Sequence, residues 1–214
     1  MIGVYGGTFD PVHYGHLRTA LEVQEQLGLD TMLMLPARQP PHRDPPLATP
    51  EARRDMLELA LRGQDRLVLD ARELDRPGPS YMVDTLESLR AEYGERPLGL
   101  VLGEDAFAGL DSWDRWQRLN ELAHLLVMTR PDSGLRPGSE PARLLAERGV
   151  SDPAGLQSSP AGRIHLCAVS SLAISATAIR DQQAAGHSSR YLLPEPVLDY
   201  IAGHRLYRES PADR

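Results

Sequence analysis

The chain has 214 residues, 41% of them hydrophobic, and a formal net charge of −7 at pH 7. That size and apolar content suit a single domain over residues 1–214 with a sizeable core, and the acidic balance argues against a general nucleic-acid partner. No run approaches the ~18 apolar residues of a membrane helix, the start lacks a basic segment followed by an apolar stretch, and Cys167 is the sole cysteine. A cytoplasmic protein with no internal disulfide, no cysteine-based zinc site and no membrane partner is expected. Any anionic substrate must find local positive charge.

Strand-like runs are expected at Ile2 to Tyr5, Thr31 to Leu35, Arg66 to Leu69, Leu98 to Leu102, His124 to Thr129 and Arg163 to Val169. Between the first two, Leu17, Ala20, Leu21 and Leu27 mark one face of a helix that should start near Gly15 or His16. The stretch from Pro36 to Pro50 carries six prolines and should be a stiff loop. Thr49 then caps a helix with Pro50 at its first position, and Leu57, Ala60 and Leu61 precede the stop at Gly63. Met82, Leu86, Leu89 and Tyr93 recur at helical spacing before Gly94 and are expected in the core. Residues 131–162 mix Gly, Pro and Ser around a helical 142–148 and should form a peripheral excursion. Cys167, in the last strand-like run with Ile164, Leu166 and Val169, reads as a small buried hydrophobe. Residues 170–214 should be helical, with Ser175 as an N-cap. Alternating strands and helices imply an α/β architecture with an open, mainly parallel sheet and helices on both faces.

The densest chemistry lies between the first strand and the first helix, in Gly6-Gly7-Thr8-Phe9-Asp10-Pro11-Val12-His13-Tyr14-Gly15-His16. A helix start presents unpaired amides and the positive end of the peptide dipoles, which attract an anion. Gly6 and Gly7 let backbone approach such an anion and tolerate a positive φ. His13 and His16, three apart, should face the same way. The competing reading is a turn followed by surface histidines, or a metal site completed by His42.

This block resembles the H-x-G-H signature of the nucleotidyltransferase superfamily and, within it, the bacterial nicotinate mononucleotide adenylyltransferases. Ser175, Thr177 and Arg180 resemble the same family's S-x-T-x-x-R signature, with Ala176 where a second serine is frequent. The resemblance implies a Rossmann-like fold and transfer of the adenylyl group of ATP to nicotinate mononucleotide, giving deamido-NAD and pyrophosphate in NAD biosynthesis. It implies catalytic roles for His13, His16 and Arg180, and ATP contacts at Gly6, Gly7, Thr8, Phe9, Gly103, Asp105, Ile174, Ser175 and Thr177. Nicotinate mononucleotide would meet His42, Arg43, Met82 and Trp113. Mg2+ is expected to arrive with the ATP phosphates, without a dedicated protein metal site. Met82 stands where the family commonly has threonine, which bears on the preference for the acid over the amide acceptor. Transfer to nicotinamide mononucleotide or phosphopantetheine, and a non-catalytic nucleotide sensor, are the other readings. The sequence leaves a homo-oligomer open.

Overall fold

Short apolar runs bounded by turn residues become strands, and the longer segments with one apolar stripe become helices. The computed structural model describes residues 1–41, 44–129 and 134–208. In chain order the elements are β1 (Ile2–Gly7), α1 (Tyr14–Leu27), β2 (Thr31–Pro36), α2 (Pro50–Leu61), β3 (Leu67–Leu69), α3 (Arg72–Asp75) and α4 (Met82–Tyr93). There follow β4 (Leu98–Gly103), α5 (Glu104–Ala108), α6 (Trp116–Leu122), β5 (His124–Thr129), α7 (Glu140–Arg148), β6 (Ile164–Ala168), α8 (Ala176–Ala184) and α9 (Glu195–His204).

The strands form one six-stranded sheet in the order β3-β2-β1-β4-β5-β6, and every pair is parallel. Strand order reverses between β1 and β4, and the carboxyl ends on either side of that point open a crevice where α/β proteins bind ligands. Gly6 and Gly7 end β1 and Gly103 ends β4.

The central strands are apolar on both faces because helices cover both. In β2, Met32 and Met34 join one cluster with Val23, Met56, Leu57 and Ile179, while Leu33 and Leu35 join the other with Leu86, Leu89 and Phe107. This period of two distributes a continuous apolar run to two cores. Leu166, by contrast, is 46% exposed, because β6 is an edge strand. Cys167 is buried, and burial pushes its thiol up to about 12.

Several boundaries differ from the sequence expectation by a residue or two. β1 continues through Gly6 and Gly7, pairing them with Leu35 and Pro36. Helix α1 starts at Tyr14, with His13 as its extended N-cap, rather than at Gly15 or His16. Thr49 caps α2 and Gly94 follows α4, as expected. Within the 131–162 excursion the helix begins earlier, at Glu140, capped by Ser139. Among the described residues, no helix is long and apolar enough to cross a membrane.

Candidate active site

A cleft of about 1380 Å³ lies at the β1/β4 switch point. Of the residues singled out in the sequence, Gly6, Gly7, Thr8, Phe9, His13 and His16 line it from the first block. Gly103 and Asp105 line it from β4 and α5, and Ile174, Ser175, Thr177 and Arg180 from the last segment. Met82 and Trp113, partly buried against the core beneath, complete the wall, and the neighbouring Trp116 packs against the same core without lining the cleft. His42 and Arg43 lie outside the described residues.

The first block is built by packing rather than by glycine dihedrals. Gly6 and Gly7 keep ordinary φ values, and the left-handed residue is Phe9, at φ 49°. Phe9 is buried and meets Tyr5 and His16 edge-on, with centroids 6.0 and 5.0 Å apart. A Cβ on Gly7 would sit 2.8 Å from the Phe9 ring, and one on Gly6 would sit 2.6 Å from Met82 Cε. Gly15 makes room for the His13 ring, 2.9 Å from where its own Cβ would be.

His13 and His16 do face the same way, stacked at 3.8 Å between centroids. Burial lowers the pKa of His13 from 6.5 to about 4, so its imidazole is neutral at pH 7. Two stacked imidazolium rings would repel, so the pair carries at most one positive charge. A neutral His13 can donate one hydrogen bond but adds no charge to an anion site.

The start of α1 offers fewer amides than the sequence suggested. Tyr14 N–H donates to the carbonyl of Leu192, and His16 N–H to that of His13. The chain between α8 and α9 docks there and takes up part of the helix end. The α8 start is more open: Ser175 Oγ accepts from Ala178 N–H, while Ala176 and Thr177 border the cleft in a first turn whose amides lack helical acceptors. Arg180 Nη1 donates to the carbonyl of Asp10 at 2.8 Å, across 170 residues of sequence, and Nη2 to Thr177 Oγ1 at 3.3 Å. Among the described residues, no ion pair with a carboxylate forms at Arg180, and it is the one arginine that lines the cleft. The chain contains no lysine at all.

Sequence reasoning missed the buried polar frame beneath the cleft. Arg53 is fully buried and donates to the carbonyls of Thr8, Ala37, Arg38 and Ala48. Its signal was present, since Arg53 stands three and four residues before Met56 and Leu57 on the inward face of α2. The Asp10 carboxylate accepts from the amides of Leu47 and Ala48 and from the Tyr207 hydroxyl. Glu22 accepts the amide and hydroxyl of Ser170, which ties α1 to the cleft wall after β6. Glu73, buried in the cleft wall, accepts from Thr85 Oγ1 at 2.7 Å, and burial raises its pKa. None of these last three partnerships leaves a local sequence pattern.

The cytidylyltransferase-like family model matches residues 4–182. A probable nicotinate-nucleotide adenylyltransferase of Methylococcus capsulatus is 52% identical over 97% of this chain and 99% of its own. One from Pseudomonas putida is also 52% identical, over 97% of this chain and 94% of its own. Among solved structures, a Plasmodium falciparum nicotinic acid mononucleotide adenylyltransferase complexed with NaAD superposes with a TM-score of 0.72. It covers 96% of each chain at 15% identity, a likeness of fold.

Proposed function

This chain belongs to the nicotinate-nucleotide adenylyltransferases of the cytidylyltransferase-like family, and from that membership we infer that its cleft transfers the adenylyl group of ATP to nicotinate mononucleotide. The products are deamido-NAD and pyrophosphate, in NAD biosynthesis. A phosphate oxygen of the mononucleotide forms a bond to the α-phosphorus of ATP. The bond from that phosphorus to the oxygen it shares with the β-phosphorus breaks, and the electron pair leaves with pyrophosphate. The attacking phosphate is already anionic at pH 7, so the protein's work is alignment and stabilisation of negative charge.

The observation that carries this reading is the convergence of His16, Arg180 and the α8 start on one cleft from opposite ends of the chain. We assign His16 to the α-phosphate as charge develops there, and Arg180 with the Ala176 and Thr177 amides to the departing pyrophosphate. His13, neutral and stacked behind His16, orients that ring and can donate a single hydrogen bond to the triphosphate. Gly103 and Asp105 stand at the end of β4, where Asp105 can accept from ribose hydroxyls. Trp113 and the first residue of α4, Met82, give the acceptor's ring an apolar wall. Methionine brings no hydroxyl, so the acceptor's carboxylate would be held by amides at the α4 start.

Nucleotidyl transfer generally uses divalent ions, and we assign Mg2+ as the companion of the substrate ATP. Asp44, Glu104, Asp105 and Asp114 border the cleft with hard oxygen donors. Among the described residues no group of three or more His, Cys, Asp or Glu is placed to hold a metal, so phosphate oxygens would supply most of the ligands.

The test is pyrophosphate release from MgATP with nicotinate mononucleotide, nicotinamide mononucleotide and phosphopantetheine offered separately, beside His16→Ala. Release should favour the nicotinate acceptor, and the variant should lose about 10²- to 10³-fold in kcat with a far smaller change in KM for ATP. Equal losses in kcat and ATP affinity would contradict the role given to His16. Absence of release with every acceptor, while ATP still binds, would replace catalysis by nucleotide sensing.

A further inference from the structure

Beyond α9 the chain turns back beneath the cleft through two left-handed residues, Arg205 at φ 53° and Tyr207 at φ 61°. The turn delivers the Tyr207 hydroxyl to Asp10, where it donates to Oδ1 at 2.6 Å. The same carboxylate accepts from Leu47 N–H at 2.8 Å and Ala48 N–H at 3.2 Å, and Asp10 is only 4% exposed. Three donors therefore occupy a buried acid. Toward Arg180 the same residue presents only its backbone carbonyl. Asp10 and Arg180 thus touch without forming an ion pair, and the guanidinium charge stays available to the cleft.

That separation needs a cause, because a buried carboxylate beside a guanidinium ordinarily pairs with it through strong charge-assisted hydrogen bonds. Arg53, the other cation near Asp10, already donates to four carbonyls. Arg180, already hydrogen-bonded to the Asp10 backbone carbonyl, is therefore the partner a released Asp10 would take. Burial and the adjacent Asp10 raise the pKa of Tyr207, so its phenol remains a proton donor throughout the physiological range.

We propose that Tyr207 is a positioning residue for adenylyl transfer: by holding the Asp10 carboxylate it keeps that acid off Arg180, leaving the guanidinium to the substrate phosphates. This rests on the phosphate role given to Arg180 above.

The experiment uses the full chain as Tyr207→Phe, Tyr207→Phe with Asp10→Asn, and Arg180→Ala, with ATP and acceptor varied in turn and ATP affinity titrated without acceptor. Tyr207→Phe removes one oxygen and should raise KM and the dissociation constant for ATP roughly tenfold, the scale of one charge-assisted hydrogen bond, with KM for the acceptor within about twofold. Adding Asp10→Asn should bring ATP affinity back toward the parent value, since a neutral amide cannot form an ion pair with Arg180. A role confined to anchoring the C-terminal turn would not show that recovery. Unchanged ATP binding in Tyr207→Phe, equal increases in both KM values, or a folded double variant without recovery would each overturn the proposal. If the double variant does not fold, the ATP titration of Tyr207→Phe decides. If Arg180→Ala leaves ATP binding intact, the phosphate role of Arg180 falls first; if it weakens ATP binding and Tyr207→Phe does not, only the role of Tyr207 falls.

Discussion

Acid should destabilise this protein through His13. His13 holds the N-cap position of α1 at 5% exposure, its ring making no capping hydrogen bond, and burial lowers its pKa from 6.5 to about 4. In the unfolded chain the same group takes up its proton near the ordinary value. Between those two pKa values the unfolded state binds more protons than the folded one, so stability falls as the pH falls. The contribution is complete above about pH 6.5, declines through the window, and changes no further below about pH 4. At about 1.36 kcal/mol per pKa unit, the whole window is worth about 3 kcal/mol, a large share of the roughly 5–15 kcal/mol that a domain possesses. Other groups titrate in acid too: hydrogen bonds hold the Glu22 and Asp30 carboxyls below their usual range, and buried Glu73 shifts the opposite way. The comparison must therefore be with His13→Asn, which suits the N-cap position and removes the titration. Urea-unfolding free energies of both proteins from about pH 7 to about pH 4 should show the parent losing about 3 kcal/mol more than the variant. A difference that stays constant with pH would refute a buried, neutral His13.

Replacing Arg53 by Met should cost about 3–5 kcal/mol and lower Tm by roughly 10 °C, because four carbonyls lose a buried donor; a change within about 1 kcal/mol would show that water or other groups satisfy them. Gly7→Ala drives a Cβ against the rigid, buried Phe9 ring and should destabilise by about 1–3 kcal/mol in thermal or urea unfolding. Gly6→Ala meets only the flexible tip of Met82, so it should raise KM for the substrates while stability stays near the parent value. Equal destabilisation by both alanines would contradict this distinction.

Periodicity revealed most of the architecture, because the information is local. The runs at Thr31, Leu98 and His124 are apolar on both faces, which is what a strand between two helical layers requires. Thr49 and Ser175 announced their helix starts through a side-chain hydroxyl, and Gly94 announced its helix end by lacking a side chain. The start of α1 was misplaced because a histidine is a weak signal for an N-cap, and its extended backbone is visible only in the fold. Met82 fitted the apolar stripe of its helix and does pack against the core, yet being first in α4 it also borders the cleft across Gly6. The polar frame was illegible for another reason. Asp10 meets Tyr207 across 197 residues and Glu22 meets Ser170 across 148, and such pairs follow no short period.

The same frame answers a question that the net charge of −7 raises, namely how an acidic chain without lysine receives two phosphorylated substrates. Among the described residues its cleft is bordered by the acids Asp44, Glu104, Asp105 and Asp114 and by Arg180 as the one arginine, so these residues supply no broad positive field. Of the two further acids at the cleft, Asp10 is occupied by three donors, and Glu73 is shifted toward its neutral form by burial. What the described residues offer to phosphate is directional: the Arg180 guanidinium, the His16 ring and the first amides of α8, together with the cation that ATP brings. Directional attraction is only as good as the placement of its donors, within about 1 Å for catalysis. That requirement accounts for buried polar groups whose desolvation would otherwise be a liability. Arg53 fixes the loop after β1, Glu22 fixes the wall after β6, and Asp10 joins both the proline loop and the C-terminal turn to Arg180.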